Sequence, residues 1–214
     1  MASLDLFAGE NNDVTRFSER AYLLHGYVER DANAILERLR EVIKQSPLRQ
    51  FVTPGGGKMS VRTSSCGDFG WITDSKGYRY TDTDTITGEP WPAMPAELKE
   101  LAETAAKKCG FESFSPNACL INVYHPGAAM GLHQDKDESD FSQPIVSFSL
   151  GLPATFLWGG LKRGGSPHKI TLQHGDVLVW GGPDRLRYHG VKKLADGQHP
   201  LTGNVRVNLT FRVR

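Results

Sequence analysis

Apolar side chains recur every three to four positions in two stretches of the chain, and this spacing predicts two amphipathic helices. The first covers residues 31–45, with Asp31 as its N-cap. The second covers residues 95–109, with Pro95 in its first turn and Gly110 directly after its end. The positions predicted to face inward are Ile35, Leu36, Leu39, Val42 and Ile43 in the first helix, and Leu98, Leu101, Ala102 and Ala105 in the second. Because each helix has one apolar face, we expect both to be scaffold helices packed on a core.

The segment between these helices has a different pattern. Residues 53–92 are rich in Gly, Thr, Ser and Asp, poor in aliphatic residues, and interrupted by aromatic residues that include Trp71, Tyr78 and Trp91. Short β-ribbons with long turns are predicted here, and a long segment of this kind is often a lid over a functional site. Exposed aromatic rings on a lid suit stacking on a planar ligand. For Trp91, packing against the core is an equally good interpretation.

Short β-rich runs dominate the chain from residue 118 onward, separated by Gly, Pro and Asp turns. The runs are ACLINVY, PIVSFSLGL, ATFLWGG, HKITLQ, DVLVWGG and RVNLTFRV. This spacing predicts a jelly roll, also called a double-stranded β-helix, and helices before a β-core make the fold class α+β. We expect a single domain, with an N-terminal segment and helix over about 1–50, the lid over about 51–92, a scaffold helix over about 93–117 and the jelly-roll core over about 118–214.

Length and composition indicate a soluble globular protein. The chain has 214 residues, of which 39% are hydrophobic and 23% charged. Its three cysteines, Cys66, Cys109 and Cys119, form neither an even-numbered disulfide framework nor a C-x-x-C zinc motif. No apolar run approaches the roughly 20 residues that span a bilayer, and the N-terminal MASLDLFAGENND lacks the profile of a signal peptide. We therefore expect a cytoplasmic protein without a membrane segment, and nothing demands more than a monomer.

The net charge of +1 conceals an uneven distribution of charged residues. From residue 161 to the C-terminus the chain has ten Lys and Arg against three Asp and no Glu. A basic C-terminal third fits a polyanionic partner, although it also fits an ordinary solvated surface.

One short acidic stretch, GLHQDKDESD, contains a candidate metal site. In an extended chain the side chains at i and i+2 point to the same side, so His133 and Asp135 could bind one ion. His189, which lies just after an apolar strand, is the preferred third ligand, while His125 and His174 compete for that position. Two histidines and one carboxylate on a β-scaffold match the Fe(II) site of non-haem oxygenases, and zinc with a bound water is the alternative.

The acidic residues that follow in this stretch have a simpler interpretation. Asp137, Glu138 and Asp140 are each expected to be solvated charges rather than metal ligands.

The C-terminal strand RVNLTFR helps to choose between iron and zinc. Arg206 and Arg212 fall on one face of it together with an amide and a hydroxyl, and burying two unpaired arginines is costly. Two guanidinium groups suit the two carboxylates of a small dicarboxylate, although pairing with Asp or Glu of the protein is the structural alternative. Upstream, Asn122 and Tyr124 share a face and can donate hydrogen bonds. A metal site together with a dicarboxylate site indicates 2-oxoglutarate as a cosubstrate.

At this point the sequence resembles a known family, the AlkB DNA/RNA demethylases. The motif N-x-Y-x-x-G-x-x-[LIM]-x-x-H-x-D reads NVYHPGAAMGLHQD here, and R-x-N-x-T-x-R reads RVNLTFR. The shorter matches are TPGGGKMSV, WPAMP, SLGLPA, GGLKR and HGDVLVWGG. The resemblance extends from about Leu4 to the C-terminus, and it is strongest to bacterial members. It implies a jelly-roll dioxygenase that uses Fe(II), O2 and 2-oxoglutarate to demethylate bases such as 1-methyladenine and 3-methylcytosine in DNA. The resemblance also implies a preference for single-stranded DNA, and it leaves RNA open as a second substrate.

The resemblance also implies a role for individual residues. It implies Fe(II) ligands at His133, Asp135 and His189. It implies 2-oxoglutarate ligands at Arg206, Asn208 and Tyr124 for the distal carboxylate, and at Arg212 and Asn122 for the carboxylate near the metal. It makes the segment around Trp71 a nucleotide-recognition lid, with substrate contacts at Trp71, Tyr78, Met59, Thr53, Arg163 and Asp137.

Two other functions remain open from the sequence. One is an Fe(II)/2-oxoglutarate dioxygenase that oxidises a protein side chain or a small metabolite, and the aromatic lid and basic C-terminal third argue against it. The other is a nucleic-acid-binding module with a structural metal, which requires a closed coordination shell, whereas the sequence offers three good ligands.

Overall fold

Thirteen strands, two α-helices and one short 3-10 helix, Gly182–Asp184, form the regular structure of the part of the chain that the computed structural model describes, residues 13–214. In chain order they are β1 Val14–Ser18, β2 Ala21–Leu24, α1 Ala32–Gln45, β3 Arg62–Gly67, β4 Gly70–Asp74, β5 Gly77–Thr81, α2 Ala96–Lys108, β6 Ala118–Tyr124, β7 Met130–His133, β8 Ile145–Gly151, β9 Ala154–Trp158, β10 His168–Leu172, β11 Val177–Trp180, β12 His189–Val191 and β13 Arg206–Arg212. Residues 1–12, where the predicted N-terminal segment and the family resemblance begin, lie outside the described residues.

The strands form two main sheets and a separate ribbon. The larger sheet has seven strands in the order β1-β2-β11-β8-β13-β6-β3, and the smaller has four in the order β10-β9-β12-β7. All neighbouring strands are antiparallel, and β4 pairs only with β5 within the described residues. The predicted α+β jelly roll is confirmed.

One apolar core lies between the two helices and the larger sheet. Both helices agree with their predicted bounds to within one residue. Of the inward positions, Ile43 and Leu101 are only partly buried. Asp31 occupies the N-cap position of α1, but its side chain makes no capping hydrogen bond. On β13, Val207, Leu209 and Phe211 face this core, as the alternation of the strand predicts.

A second apolar core lies between the two sheets. It joins side chains of the larger sheet, such as Ile145 and Trp180, to side chains of the smaller sheet, such as Phe156 and Trp158. The opposite face of β13 points to this side, so Arg206 and Arg212 enter the interior of the sandwich. The functional cavity is therefore built inside the jelly roll rather than on its surface.

The predicted lid contains the β4–β5 ribbon, but it also contains β3, which belongs to the larger sheet. Trp91 is buried, and its indole N–H donates to the carbonyl of Thr81 at 2.9 Å. A side chain in place of Gly70 would lie 2.1 Å from the Trp91 ring, so glycine is required where the ribbon begins. Trp91 thus has the structural role, because it fixes the ribbon to the rest of the fold.

Membrane-spanning helices and disulfide bonds were not expected from the sequence. Within residues 13–214 no helix is both long enough and apolar enough to cross a membrane. Cys66, Cys109 and Cys119 are all buried free thiols.

Candidate active site

The three predicted metal ligands meet at one end of the smaller sheet. His133 ends β7, His189 begins β12, and the two are direct partners across the antiparallel ladder, so their side chains share a face. One ligand atom from each of His133, Asp135 and His189 lies within 4.8 Å of the others, and we call this group the metal triad. The Nε2 atoms of the two histidines each lie 3.6 Å from a different carboxylate oxygen of Asp135. The spacing leaves room for an ion between the three side chains.

Backbone carbonyls orient both imidazole rings. Nδ1 of His133 lies 2.9 Å from the carbonyl oxygen of Gly131, and Nδ1 of His189 lies 3.0 Å from that of Arg187. A carbonyl oxygen only accepts hydrogen bonds, so each Nδ1 carries the proton and donates. Each Nε2 is therefore the atom available to a metal, the arrangement that metal-binding histidines use.

The electrostatics of the site keep Asp135 ionised. Burial alone raises the pKa of this carboxyl, but Arg212 and the two histidines outweigh burial and hold the pKa well below its usual range. For His189, burial and the neighbouring His133 lower the pKa, which favours the neutral ring. An ionised carboxylate and a neutral imidazole are the forms that bind a metal.

Gly190 allows the two metal-bearing strands to approach each other. A Cβ at this position would lie 2.6 Å from the carbonyl oxygen of Met130 on β7. Any other residue would push β12 away from β7 and separate the two histidines.

Arg206, at the other end of the cavity, is a buried cation with free hydrogen-bonding capacity. It is 1% exposed, and its Nη2 donates to the hydroxyl of Ser149 at 2.9 Å. Its Nε and Nη1 have no hydrogen-bond partner among residues 13–214, and its guanidinium lies 5.0 Å from the ring centre of Tyr124. Buried N–H groups are rarely left without partners, so these groups fit a ligand carboxylate.

Further polar side chains line the floor of the cavity between the two arginines. Asn122 and Asn208 are directly opposed on β6 and β13, and Nδ2 of Asn122 donates to Oδ1 of Asn208 at 3.2 Å. Tyr124 opposes Arg206 in the same register. The five predicted cosubstrate residues, Asn122, Tyr124, Arg206, Asn208 and Arg212, thus line one cavity.

Arg212 differs from Arg206 because protein carboxylates already surround it. Its Nη2 donates to Oδ2 of Asp135 at 2.6 Å, and its Nε lies 3.4 Å from Oε1 of Glu138. Burial lowers the pKa of Arg212, but these carboxylates and Tyr80 outweigh burial and raise the pKa. Arg212 therefore lies next to the metal triad, where a cosubstrate carboxylate would compete with Asp135 for it.

The lid closes the other side of the cavity. Trp71 stacks on Tyr78 with ring centres 5.6 Å apart and an angle of 19° between the rings. The indole N–H of Trp71 donates to Oδ2 of Asp137 at 2.9 Å, and Tyr78 is half exposed. Arg163 donates from Nη2 to the carbonyl of Leu132 at 2.9 Å. All six predicted substrate residues, Thr53, Met59, Trp71, Tyr78, Asp137 and Arg163, line the same cavity, whose volume is about 420 Å³.

The expectation for Glu138 was wrong. It was predicted to be a solvated charge, but it is 6% exposed and accepts hydrogen bonds from Tyr80 at 2.6 Å and Arg185 at 3.0 Å. Spacing along the sequence could not reveal this, because both partners come from distant strands and turns. Asp140, in contrast, is exposed as predicted.

Two serines that sequence reasoning missed also contribute to the site. Ser147 and Ser149 alternate along β8, and their hydroxyls accept hydrogen bonds from Asn208 at 2.8 Å and Arg206 at 2.9 Å. The period-two alternation of serine in the otherwise apolar run PIVSFSLGL was the signal that could have found them.

The competing histidines lie outside the metal triad. His125 is exposed, and Nδ1 of His174 accepts a hydrogen bond from the backbone N–H of Gly151 at 2.9 Å. The structural interpretation of His174 is confirmed.

Comparison with known proteins agrees with this geometry. The sequence profile of the 2OG-Fe(II) oxygenase superfamily matches residues 20–212. The alpha-ketoglutarate-dependent dioxygenase AlkB of Salmonella typhimurium is 50% identical over 209 residues, which are 98% of this chain and 97% of that protein. The chain belongs to the AlkB family of 2OG-Fe(II) oxygenases.

More distant AlkB-family proteins share the fold and part of the sequence. The solved structure of OsALKBH1 superimposes with a TM-score of 0.83 at 30% identity, covering 94% of this chain and all of that one. The DNA N(6)-methyladenine demethylase ALKBH1C of Arabidopsis thaliana is 34% identical over 65% of this chain and 36% of its own length.

The chain is accordingly an Fe(II)/2-oxoglutarate-dependent dioxygenase, and its cosubstrates are 2-oxoglutarate and O2. The residues present fit these groups. Two imidazoles and a carboxylate are the donor set of non-haem Fe(II) oxygenases, and the free N–H groups of Arg206 fit the far carboxylate of 2-oxoglutarate.

Proposed function

We propose that this AlkB-family dioxygenase removes methyl groups from ring nitrogens of bases in DNA, such as 1-methyladenine and 3-methylcytosine. The methylated base, 2-oxoglutarate and O2 are converted to the unmethylated base, formaldehyde, succinate and CO2. The observation that carries this proposal is a single cavity lined by the metal triad, a buried arginine with unused N–H groups, and a lid bearing stacked aromatic rings. A flat, cationic methylated base matches such a lid because aromatic faces attract planar cations.

In this proposal the two arginines bind the two ends of 2-oxoglutarate. Arg206, with Asn208 and Tyr124, binds the distal carboxylate, and Arg212, with Asn122, binds the carboxylate next to the metal. Fe(II), 2-oxoglutarate and O2 would together supply the oxidising chemistry, in which one oxygen atom of O2 is inserted into a methyl C–H bond and the other enters succinate as 2-oxoglutarate loses CO2. The protein holds the cosubstrate in one orientation, since the two guanidinium groups lie at opposite ends of the same strand.

The lid residues are proposed to select the base. The base lies between Trp71 and His133, and the Asp137 oxygen that Trp71 does not engage accepts a hydrogen bond from an exocyclic amino group. Tyr78 and Met59 contact the substrate from the lid. Thr53 and Arg163 are placed near the sugar-phosphate backbone, and the basic C-terminal third supports binding of a polyanion.

Single-stranded DNA is the proposed preferred substrate, with RNA as a second one. The base must enter a cavity inside the jelly roll, so it has to leave the helical stack, and in a single strand this costs least. We also propose a monomer in the cytoplasm, because residues of one chain complete the cavity and three buried thiols suit a reducing compartment.

The test is to mix protein purified without oxygen with Fe(II), 2-oxoglutarate and single-stranded DNA carrying 1-methyladenine, and then to admit O2. We expect formaldehyde, succinate and demethylated DNA in equal amounts. A His133→Ala variant is expected to form none of the three.

A Trp71→Ala variant separates the substrate from the oxygenase chemistry. We expect it to lose demethylation while it still forms some succinate in the absence of DNA. Succinate formation by the wild-type protein without any demethylation would instead direct the search to a protein side chain or a small metabolite.

A further inference from the structure

We propose that Arg185 is a positioning residue for the metal triad, because it holds the main chain of Asp135 in a fixed place relative to His189. The proposal rests on the assignment of His133, Asp135 and His189 as the metal ligands. Arg185 is neither a metal ligand nor a predicted cosubstrate contact, and the proposal gives it an indirect effect on metal affinity.

The guanidinium of Arg185 makes three separate hydrogen bonds to the acidic loop after β7. Nη1 donates to the carbonyl of Asp135 at 2.7 Å, Nε donates to the carbonyl of Gln143 at 3.0 Å, and Nη2 donates to Oε2 of Glu138 at 3.0 Å. Arg185 is 2% exposed, and its guanidinium lies 5.5 Å from the ring centre of Phe141. One side chain thus fixes both ends and the middle of the loop that carries Asp135.

The bond to Asp135 involves its backbone carbonyl, so it does not consume the carboxylate. Both carboxylate oxygens of Asp135 remain directed at the two histidines. Arg185 therefore acts through the position of the Asp135 main chain and not as a ligand.

The turn that carries Arg185 is itself anchored to distant parts of the fold. Asp184 is 1% exposed, and its carboxylate accepts hydrogen bonds from the Ser18 hydroxyl at 2.9 Å and from the Arg20 backbone at 2.6 Å. Arg187 donates to Asp184 and, at 3.0 Å, to the carbonyl of Gly159. His189 lies two residues after Arg187, so the anchored turn positions this metal ligand directly. The same turn positions Asp135 through the hydrogen bond from Arg185.

A second connection runs in parallel to Arg185. The side-chain amide of Gln134 donates to the backbone carbonyl of Leu186, next to Arg185. The segment carrying His133 and Asp135 is therefore joined at two points to the segment carrying His189. A metal gains affinity when its ligands are held in place before it binds, and removing outer partners typically lowers metal affinity about 10–100-fold.

Lysine cannot replace Arg185 in this role. Its ammonium group keeps the charge opposite Glu138, but it lacks the flat fork that reaches three acceptors in different directions. In the Arg185→Lys variant we expect the dissociation constant for Co(II), a spectroscopic substitute for Fe(II), to rise at least about 10-fold. The measurement is a titration of metal-free protein followed by the visible absorption of bound Co(II).

The matched control is Arg49→Lys, which alters another buried arginine with a carboxylate partner. Arg49 pairs with Asp84 and with the hydroxyl of Ser46, outside the cavity. We expect this variant to bind Co(II) with the wild-type dissociation constant, although both variants lose some thermal stability. Arg185→Lys protein with wild-type Co(II) affinity would overturn the proposal.

Two further variants keep the test decisive. If Arg185→Lys does not fold, Gln134→Leu decides, because it removes the second connection between the same two segments, and we expect the Co(II) dissociation constant to rise by about 10-fold. Unchanged affinity in that variant counts against the proposal. His133→Ala tests the ligand assignment separately: if it kept full Co(II) affinity, the metal triad itself would be wrong, whatever Arg185 does.

Discussion

The two ends of β13 show two ways in which a protein can hold a buried arginine. At the Arg212 end, the guanidinium has carboxylate partners from Asp135 and Glu138. At the Arg206 end, one N–H group meets the hydroxyl of Ser149, and Nε and Nη1 have no partner in residues 13–214. The two residues are six positions apart on one strand face and are almost equally buried.

The difference indicates that Arg212 stabilises the fold in addition to its proposed contact with the cosubstrate, whereas Arg206 has hydrogen-bonding capacity that the protein leaves unused. Burial lowers the pKa of Arg206, and Tyr124 only partly opposes this, whereas carboxylates raise the pKa of Arg212. An incompletely paired buried cation weakens the fold, so the fold alone gives no reason for Arg206. In the proposed function its partner is the distal carboxylate of 2-oxoglutarate.

The largest effect is expected from Arg212→Leu. Removing this cation leaves the buried carboxylate of Asp135 without its arginine partner, while Glu138 keeps Arg185, and breaking a buried pair in this way costs about 3–5 kcal/mol of unfolding free energy. Urea unfolding of the metal-free protein measures the loss. If stability stayed within about 0.5 kcal/mol of wild type, the two ends of β13 would be energetically alike and the comparison would fail.

Arg206→Met should weaken cosubstrate binding without lowering the stability of the fold, the opposite of Arg212→Leu. We expect the KM for 2-oxoglutarate to rise at least about 30-fold, because a buried charge-assisted contact is lost. The urea midpoint of the metal-free protein should be equal to or higher than that of the wild type, since an incompletely paired buried cation is gone. Steady-state succinate formation and unfolding are measured on the same sample. A lower midpoint with an unchanged KM would assign Arg206 a purely structural role.

The Arg49–Asp84 pair, outside the cavity, serves as the reference for a paired buried arginine. Burial raises the pKa of Asp84, but hydrogen bonds from Arg49 and Ser46 outweigh burial and lower it to about 2. The carboxylate therefore stabilises the fold above about pH 4, and this contribution, about 2 kcal/mol, is lost as pH falls from about 4 to 2.

An Asp84→Asn variant checks this pH dependence. Its unfolding free energy should be lower at neutral pH and should fall less steeply than that of the wild type below pH 4. If the free energy of unfolding fell equally steeply with pH in the two proteins, Asp84 would not lose its stabilising contribution between about pH 4 and 2.

The smallest effect is expected from Ser149→Ala, which removes the one hydroxyl partner of Arg206. Arg206 keeps its charge in this variant, and a typical hydrogen bond contributes about 1 kcal/mol net, so the KM for 2-oxoglutarate should rise by about 5-fold. Unfolding should change by less than in Arg212→Leu. An effect on KM larger than that of Arg206→Met would mean that Ser149, and not Arg206, is the main cosubstrate contact.

Much of the site could be predicted because it follows from spacing along single strands. The interval between His133 and Asp135 places both on one side of an extended chain, and the alternation in RVNLTFR separates the polar face from Leu209 and its apolar neighbours. The metal triad and the five residues that are predicted to bind the cosubstrate, which line one cavity, follow from this spacing or from the family motifs. The jelly roll could be predicted from the succession of short strands.

Other features could not be predicted, because they depend on which strands become neighbours. Glu138 is buried only because Tyr80 of the lid and Arg185 of a distant turn meet it. The assignment of β3 to the larger sheet depends on its pairing with β6. Neither pairing leaves a periodic signal in the sequence.

The sequence by itself determined the fold class, the pairing of His133 with Asp135 and, through the family motifs, the third ligand His189 and the chemical class of the cosubstrate, because periodicity and motif spacing act within a few residues. Only the tertiary structure decided which of two similar arginines keeps free N–H groups, and which carboxylate is buried. The physical reason is that pairing and desolvation of charges depend on side chains brought together from strands far apart in the chain.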